Sequence, residues 1–353
     1  MSRPGAVSSL RRGALLGLAA AALFGMSTPL AKRLLGEMRP QVLAGLLYLG
    51  AGTAFSIVGA VRPRPSEAKL TRKDAWPLLG LIASGGIIGP LLLLIGLERT
   101  SGMAAALALN LEAPFTMLLA VVFFREHFGR YAAGATLLIL LGAAVLKVRP
   151  GDLAVDGIGL GCIALACAAW ALDNNLTQRL TLKDPIAIVR LKTVVAGAFN
   201  LGLGLMLGGQ LPRASVLAAT LVLGALSYGL SVLLDAYALR LLGAAREAAF
   251  FATAPFLGAL GSVLLLGDRL ALADGVAMAA MVGGVVLLLR EKHAHRHEHE
   301  PLEHEHAHEH DAHHQHEHAP GVVVTERHAH PHRHTALVHE HPHGSDLHHR
   351  HRH

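Results

Sequence analysis

Histidine is crowded into one end of this chain. Of 24 histidines, only His127 lies outside residues 293–353. In HAHRHEHEPLEHEHAHEHDAHHQHEH (residues 293–318) they alternate with Glu, Asp and Ala. Imidazole is the commonest side-chain ligand for borderline divalent metals, and carboxylates add oxygen donors. The candidate metal ligands are His293, His295, His297, His299, His304, His306, His308, His310, His313, His314, His316 and His318. Nitrogen and oxygen donors suit nickel, cobalt, zinc or copper(II) rather than soft ions, and capture needs neutral imidazole, so it fails below about pH 6.

A second group of residues is sparse and sits in apolar surroundings. Glu112 occurs in NLEAP, flanked by Asn110 and Pro114, and Asp173 heads an Asp-Asn-Asn run with Asn174 and Asn175. Asp235 and the Arg246-Glu247 pair follow, while Arg190, Lys192 and Asn200 share one apolar stretch. An ionisable group at the centre of a bilayer costs about 2.5–3.5 kcal/mol on insertion scales, so it has a partner or a task. Glu112, Asp173, Asn174, Asn175, Asn110, Asp235 and Glu247 are the candidate lining of a transport path. For Asp235 and Glu247 an ion pair with Arg190, Arg240 or Arg246 is an equally good reading. Met26, Ser27 and Thr28 read as packing. No intramembrane histidine motif exists, so a metal in the membrane would meet only hard oxygen ligands.

The elements that position these residues are apolar. The chain is 52% hydrophobic with a mean hydropathy of +0.45 despite its polar tail. Ten stretches of membrane-spanning length are expected, at about 13–31, 41–61, 76–97, 103–124, 130–148, 157–177, 186–208, 216–239, 244–266 and 271–290. Arg11-Arg12 precede the first, which continues without a cleavage site and reads as an uncleaved span. Gly13/Gly17, Gly85/Gly89 and Gly157/Gly161 read as helix-packing faces. Cys162 and Cys167 share one apolar segment and cannot build a disulfide framework. The pI of 9.6 invites a nucleic-acid partner. It is rejected, because Lys and Arg fall in short loops, where they report topology. Their bias is about two to one and places both termini in the cytoplasm.

The halves resemble each other. Arg99 and Arg240, Gly102 and Gly243, Pro114 and Pro255, Gly134 and Gly275, and Gly142 and Gly283 share one sequence offset. An odd number of spans per half inverts the second copy, a construction that puts the substrate path at the repeat interface. Residues 101–146 and 237–270 look like successive copies of one helical element with a mid-helix Ala-Pro. The chain thereby resembles the drug/metabolite transporter superfamily, EamA type, over about residues 13–290.

The resemblance implies an all-α integral membrane protein with ten transmembrane helices in two inverted five-helix repeats (13–149 and 157–290), a secondary carrier and not an enzyme. Some members are nickel/cobalt resistance exporters, and the histidine-rich extension points to that group. Residues 291–353 are expected to be a disordered metal-binding tail, too polar to bury a core. The expected function is efflux of nickel or cobalt across a bacterial inner membrane by proton antiport, with no cofactor required beyond the ion itself. An exporter of organic metabolites or drugs with an incidental tail stays open. So do a membrane-anchored metal store or sensor, and pairing of two copies as a homodimer. An ATP-driven pump is disfavoured, since no Gly-Lys-Ser/Thr loop occurs.

Overall fold

The computed structural model describes residues 4–61, 70–124, 129–146, 156–177, 180, 183–242 and 250–290, and in the tail 293–299, 303–308, 328–333 and 337–343. Between residues 4 and 290 the described elements are helices. In chain order they are α1 (Pro4–Gly25), α2 (Ser27–Leu34) and α3 (Pro40–Val61). Next come α4 (Ala75–Leu81), a π-helical turn (Ile82–Ile88) and α5 (Gly89–Arg99). α6 (Gly102–Ala108), a 3-10 turn (Leu109–Leu111) and α7 (Glu112–Phe124) follow, then α8 (Arg130–Val145). The second half holds α9 (Gly157–Thr177), α10 (Pro185–Met206) and α11 (Ala214–Gly224) with a second π-turn (Ala225–Leu230) and α12 (Ser231–Leu242). It closes with α13 (Ala254–Leu266) and α14 (Leu272–Leu289).

Among the described residues, seven helical runs are long and apolar enough to cross a membrane: Arg11–Leu34, Pro40–Val61, Arg72–Arg99, Gly102–Val122, Gly157–Thr177, Ile186–Met206 and Ala214–Asp235. Three shorter apolar helices, Arg130–Val145, Ala254–Leu266 and Leu272–Leu288, lie within the other three expected segments and fall short of that length. Leu15, Leu137, Val222 and Leu264 are exposed. On a protein in water such surface would be an interaction patch; here it is what lipid solvates.

The packing repeats itself when the halves are exchanged. α3 lies on α10, α8 on α14 and α6 on α13, each pair joining like positions of the two halves. The contact of α1 with α12 is matched by that of α9 with α5. Lipid offers no hydrophobic drive for helix association, so close backbone approach must supply it. The α3–α10 contact shows how. Gly45 is pressed against the backbone of Leu201, and a Cβ on Gly197 would lie 2.8 Å from the Leu49 nitrogen. The expected glycine faces divide: Gly85 and Gly89 are tightly covered by α9, whereas Gly161 has nothing within 4 Å.

Several helices break within their span. α1 gives way to α2 at Met26, and α6 gives way to α7 through a 3-10 turn just before Glu112. The backbone stays bonded across both: the Met26 N–H reaches the Ala22 carbonyl at 3.0 Å and the Glu112 N–H the Leu109 carbonyl.

Four short segments of the tail are described, all as strands. β1 (His293–His299) pairs antiparallel with β4 (Leu337–His343), and β2 (Glu303–His308) pairs antiparallel with β3 (His328–Arg333).

Gly45→Val should therefore lower the thermal midpoint of the protein in detergent, at a cost of about 1–3 kcal/mol from overpacking. Gly161→Ala should leave the midpoint unchanged or slightly higher, by up to about 1 kcal/mol. Fluorescence-monitored melting of both variants checks the pair.

Candidate functional site: a charged cluster around a π-turn

The site begins with a proline. In the turn Ile82–Ile88 the hydrogen bonds run five residues, as the Gly89 N–H to the Ser84 carbonyl shows. Pro90 follows at once and has no N–H. It can serve neither Gly85, five residues back, nor Gly86, four back. The Gly85 carbonyl thus loses its donor in the five-residue pattern and the Gly86 carbonyl its donor in the four-residue pattern, in a span where an unsatisfied group costs several kcal/mol.

Three other helices supply the missing donors. Tyr48 of α3 donates its hydroxyl to the Gly85 carbonyl at 2.8 Å, and the Trp170 indole of α9 donates to the same oxygen at 3.1 Å. Asn200 of α10 donates its amide to the Gly86 carbonyl at 3.2 Å. All three side chains are buried.

Asp173 lies one turn beyond Trp170 on the same face of α9, directly over Gly85. Any Cβ on Gly85 would overlap the Asp173 carboxyl, so glycine is required for this approach. Asp173 Oδ2 is paired with the Lys192 ammonium, and both side chains are largely buried. Lys192, Ala196 and Asn200 are spaced one turn apart and face the π-turn from α10. Next to this pair Asn174 donates its amide to Glu112 Oε1 at 2.8 Å, and Glu112 feels the charges of both Asp173 and Lys192. Glu112 is the first residue of α7, directly after the 3-10 turn.

Two buried acceptors in this region lack a donor, Asp173 Oδ1 and Asn200 Oδ1. Unpaired oxygens under low dielectric favour a ligand rich in N–H groups or carrying positive charge.

An aromatic row adjoins the charged cluster. Tyr48 stacks at 5.7 Å on Tyr228 of the second π-turn, Tyr228 meets Phe24 edge-on at 5.9 Å, and Phe24 lies 5.4 Å from Phe251. Tyr48 belongs to both groups, its hydroxyl on the first π-turn and its ring against the second.

Of the residues singled out in the sequence, Glu112, Asp173 and Asn174 come together. Asn175 turns the other way, donating to the Thr116 and Ala171 carbonyls at 3.2 and 2.8 Å. Asn110 is buried and donates to the Leu107 carbonyl and to Met281 Sδ, a packing role between α6 and α14. Asp235 belongs to α12, which packs on α1, and its buried Oδ1 has no partner. Glu247, Arg246 and His127 lie outside the described residues, as do His310, His313, His314, His316 and His318. Ser27 and Thr28 are buried, and Ser27 hydrogen-bonds Tyr228. Among the described residues, no three His, Cys, Asp or Glu groups converge to hold a metal ion. Sequence reasoning missed Lys192 as the partner of Asp173, and missed Tyr48 and Trp170. The available signal was Lys192 and Asn200 two turns apart on an otherwise apolar helix.

A bundle of membrane-spanning helices in two like halves, with broken helices and a buried charged cluster at their meeting point, defines a membrane transporter. The family model described as the EamA-like transporter family matches residues 11–148 and again 157–290, and the chain belongs to that family. An uncharacterised transporter of Methanothermobacter thermautotrophicus is 31% identical over 290 residues, covering 77% of this chain and 84% of that protein. An uncharacterised transporter of Synechocystis is 29% identical over 139 residues, 37% of this chain and 40% of that protein. One solved crystal structure superposes with a TM-score of 0.58 at 20% identity, over 78% of this chain and 96% of that one, a likeness of fold.

If the Asp173–Lys192 pair is as closed as its burial implies, Lys192→Met should destabilise the protein by about 3–5 kcal/mol, because it strands a buried carboxylate. Adding Asp173→Asn should recover most of that loss. A double-mutant cycle by thermal melting measures the coupling.

Proposed function

We propose that this multi-pass membrane transporter is a secondary exporter of a small organic cation, an amine- or amidine-bearing metabolite with an apolar or aromatic body. The Asp173–Lys192 pair carries the reading. An ammonium already occupies the place a dication would take at Asp173. A second ammonium or amidinium is its natural replacement, and the unpaired Asp173 and Asn200 oxygens suit N–H donors. The row Tyr48, Tyr228, Phe24 and Phe251 offers ring faces for the rest of the solute.

In this reading the cargo cation displaces Lys192 from Asp173, and Lys192 turns to Glu112, so that charges stay paired throughout. Protons arriving from the far side neutralise a carboxylate and release the cargo. The chain lies in a bacterial inner membrane with both termini in the cytoplasm.

A second reading, efflux of nickel or cobalt by proton antiport, draws on one specific observation, the 23 histidines of residues 293–353. In it the tail concentrates the metal at the mouth of the carrier.

Proteoliposomes separate the readings. With an imposed pH gradient, radiolabelled benzamidine should accumulate in vesicles of the wild-type protein and not in vesicles of Asp173→Asn. Nickel accumulation without benzamidine flux would instead favour the metal exporter. Nickel bound by the protein without flux of either solute would mean a membrane-anchored store or sensor.

A further inference from the structure

Two charged side chains outside the Asp173 cluster tie one end of the bundle together. α2 ends just past Lys32, whose ammonium donates to the Leu97 carbonyl at 2.6 Å and to the Glu98 carbonyl at 3.1 Å. Both oxygens belong to the last turn of α5, where helical donors run out. α13 stops at Gly267, whose φ of 70° turns the chain back so that the Asp268 N–H meets the Ser262 carbonyl. The Asp268 carboxylate then accepts from the Met103 N–H in the first turn of α6, at 2.8 Å. Lys32 feels the charges of both Asp268 and Glu98. One side chain thus ties α2 to α5, the other ties α13 of the second half to α6 of the first, and the two ties adjoin.

Beneath these contacts the same helices meet along a seam of small residues. A Cβ on Gly25, at the end of α1, would overlap the Ala254 carbonyl oxygen of α13. One on Gly258 would lie 2.7 Å from the Gly25 carbonyl oxygen and 3.1 Å from the Ala106 Cβ of α6. One on Gly102 would lie 2.7 Å from Ser262 Oγ, and one on Gly261 2.6 Å from Met26 Sδ. Such close approach supplies the helix association that lipid does not. At 1.5 Å per residue, Met103 lies about 13 Å from Glu112 along α6 and α7, so this closure stands between the charged cluster and the Lys32 end.

The second half repeats neither feature. ALFGMSTPLAKRL (residues 22–34) aligns with AAWALDNNLTQRL (residues 168–180), which puts Ala171 in the place of Gly25 and Gln178 in the place of Lys32. At the offset that relates Pro114 to Pro255, Gly258 and Gly261 correspond to Met117 and Ala120, and Asp268 corresponds to His127. Inversion of the second half assigns these counterparts to the opposite end of the bundle, where α1 starts and α14 stops. In those places the sequence has no ammonium, no carboxylate and no glycine. Methionine and alanine side chains hold helix backbones further apart than glycine does.

We propose that Lys32 and Asp268, seated over the Gly25–Gly258 seam, form a latch that shuts the carrier at this end, and that the missing second latch biases the unloaded carrier toward this closed form. Opening here requires the Lys32 ammonium to leave the α5 carbonyls and the Asp268 carboxylate to leave the Met103 N–H. Both contacts therefore enter the free-energy difference between the two carrier states, and weakening either shifts the population. A duplicated scaffold with two equal latches would have no such bias. The device acts in the same way whichever solute is carried.

The test measures distances between paired spin labels on the full chain in lipid nanodiscs, after Cys162→Ala and Cys167→Ala remove the native thiols. Gly36→Cys with Leu270→Cys reports on the latch end, and Arg130→Cys with Thr177→Cys reports on the opposite end. Three substitutions are compared on this background. Lys32→Gln and Gly25→Ala each give the first half the residue of the second, and Asp268→Asn removes the carboxylate charge. The parent chain should show one short latch-end population. Each substitution should add a longer one there, while the opposite pair shortens or stays as it was. Latch-end distances that do not change in Lys32→Gln and Asp268→Asn would overturn the proposal. So would equal lengthening at both ends, the mark of a bundle loosened throughout. Lys32→Gln and Asp268→Asn leave the seam in place, so a failure of Gly25→Ala to fold leaves the test standing.

Discussion

Two carbonyl oxygens weakened by one proline organise the centre of this protein. Pro90 cannot serve Gly85 in the five-residue pattern or Gly86 in the four-residue pattern. In a lipid setting such groups cannot be left to solvent, so side chains from α3, α9 and α10 must converge on one point. That convergence fixes the relative positions of Tyr48, Trp170 and Asn200. It also brings the faces of α9 and α10 that carry Asp173 and Lys192 toward each other across Gly85. The ion pair is therefore a consequence of the helix defect, in the sense that the same three contacts that satisfy the carbonyls set its geometry.

The two halves share this design and then diverge. A π-turn recurs in the second half at Ala225–Leu230, and the two residues after it are Ser231 and Val232 where the first half has Gly89 and Pro90. Serine keeps its N–H, which bonds the Leu226 carbonyl five residues back, and its hydroxyl bonds the Ser227 carbonyl. No orphan is created there, and the second π-turn presents Tyr228 to an aromatic row instead of gathering polar donors. One side of the meeting point is thus charged and the other aromatic. A symmetric scaffold with an asymmetric lining suits a solute with a charged end and an apolar body.

Much of this was legible in the sequence, and the gaps have physical reasons. Apolar length revealed the spans, because the bilayer sets a length that composition must satisfy. The shared offset of Pro114 with Pro255 and of Gly142 with Gly283 revealed the duplicated plan. Asp173 and Glu112 stood out because charge is costly in lipid. Their partners did not stand out, since which face of α10 meets α9 depends on where the π-turn shifts the register. Asn110 looked equivalent to Asn174 by composition, yet the 3-10 turn at Leu109–Leu111 aims it at Met281. The tail's histidines were plain to see. Their pairing across a long loop was not, because alternation alone does not say which strand meets which.

The central claim is that Asp173 exchanges its internal counter-ion for a cargo cation while a proton moves the other way. The most direct measurement is the proton movement itself, read by a pH dye sealed inside proteoliposomes when benzamidine is added outside. The account predicts a cargo-evoked pH change with the wild-type protein that vanishes with Asp173→Asn and survives with Asn110→Leu. A signal of the same size from Asp173→Asn, with the protein folded and inserted, would contradict it.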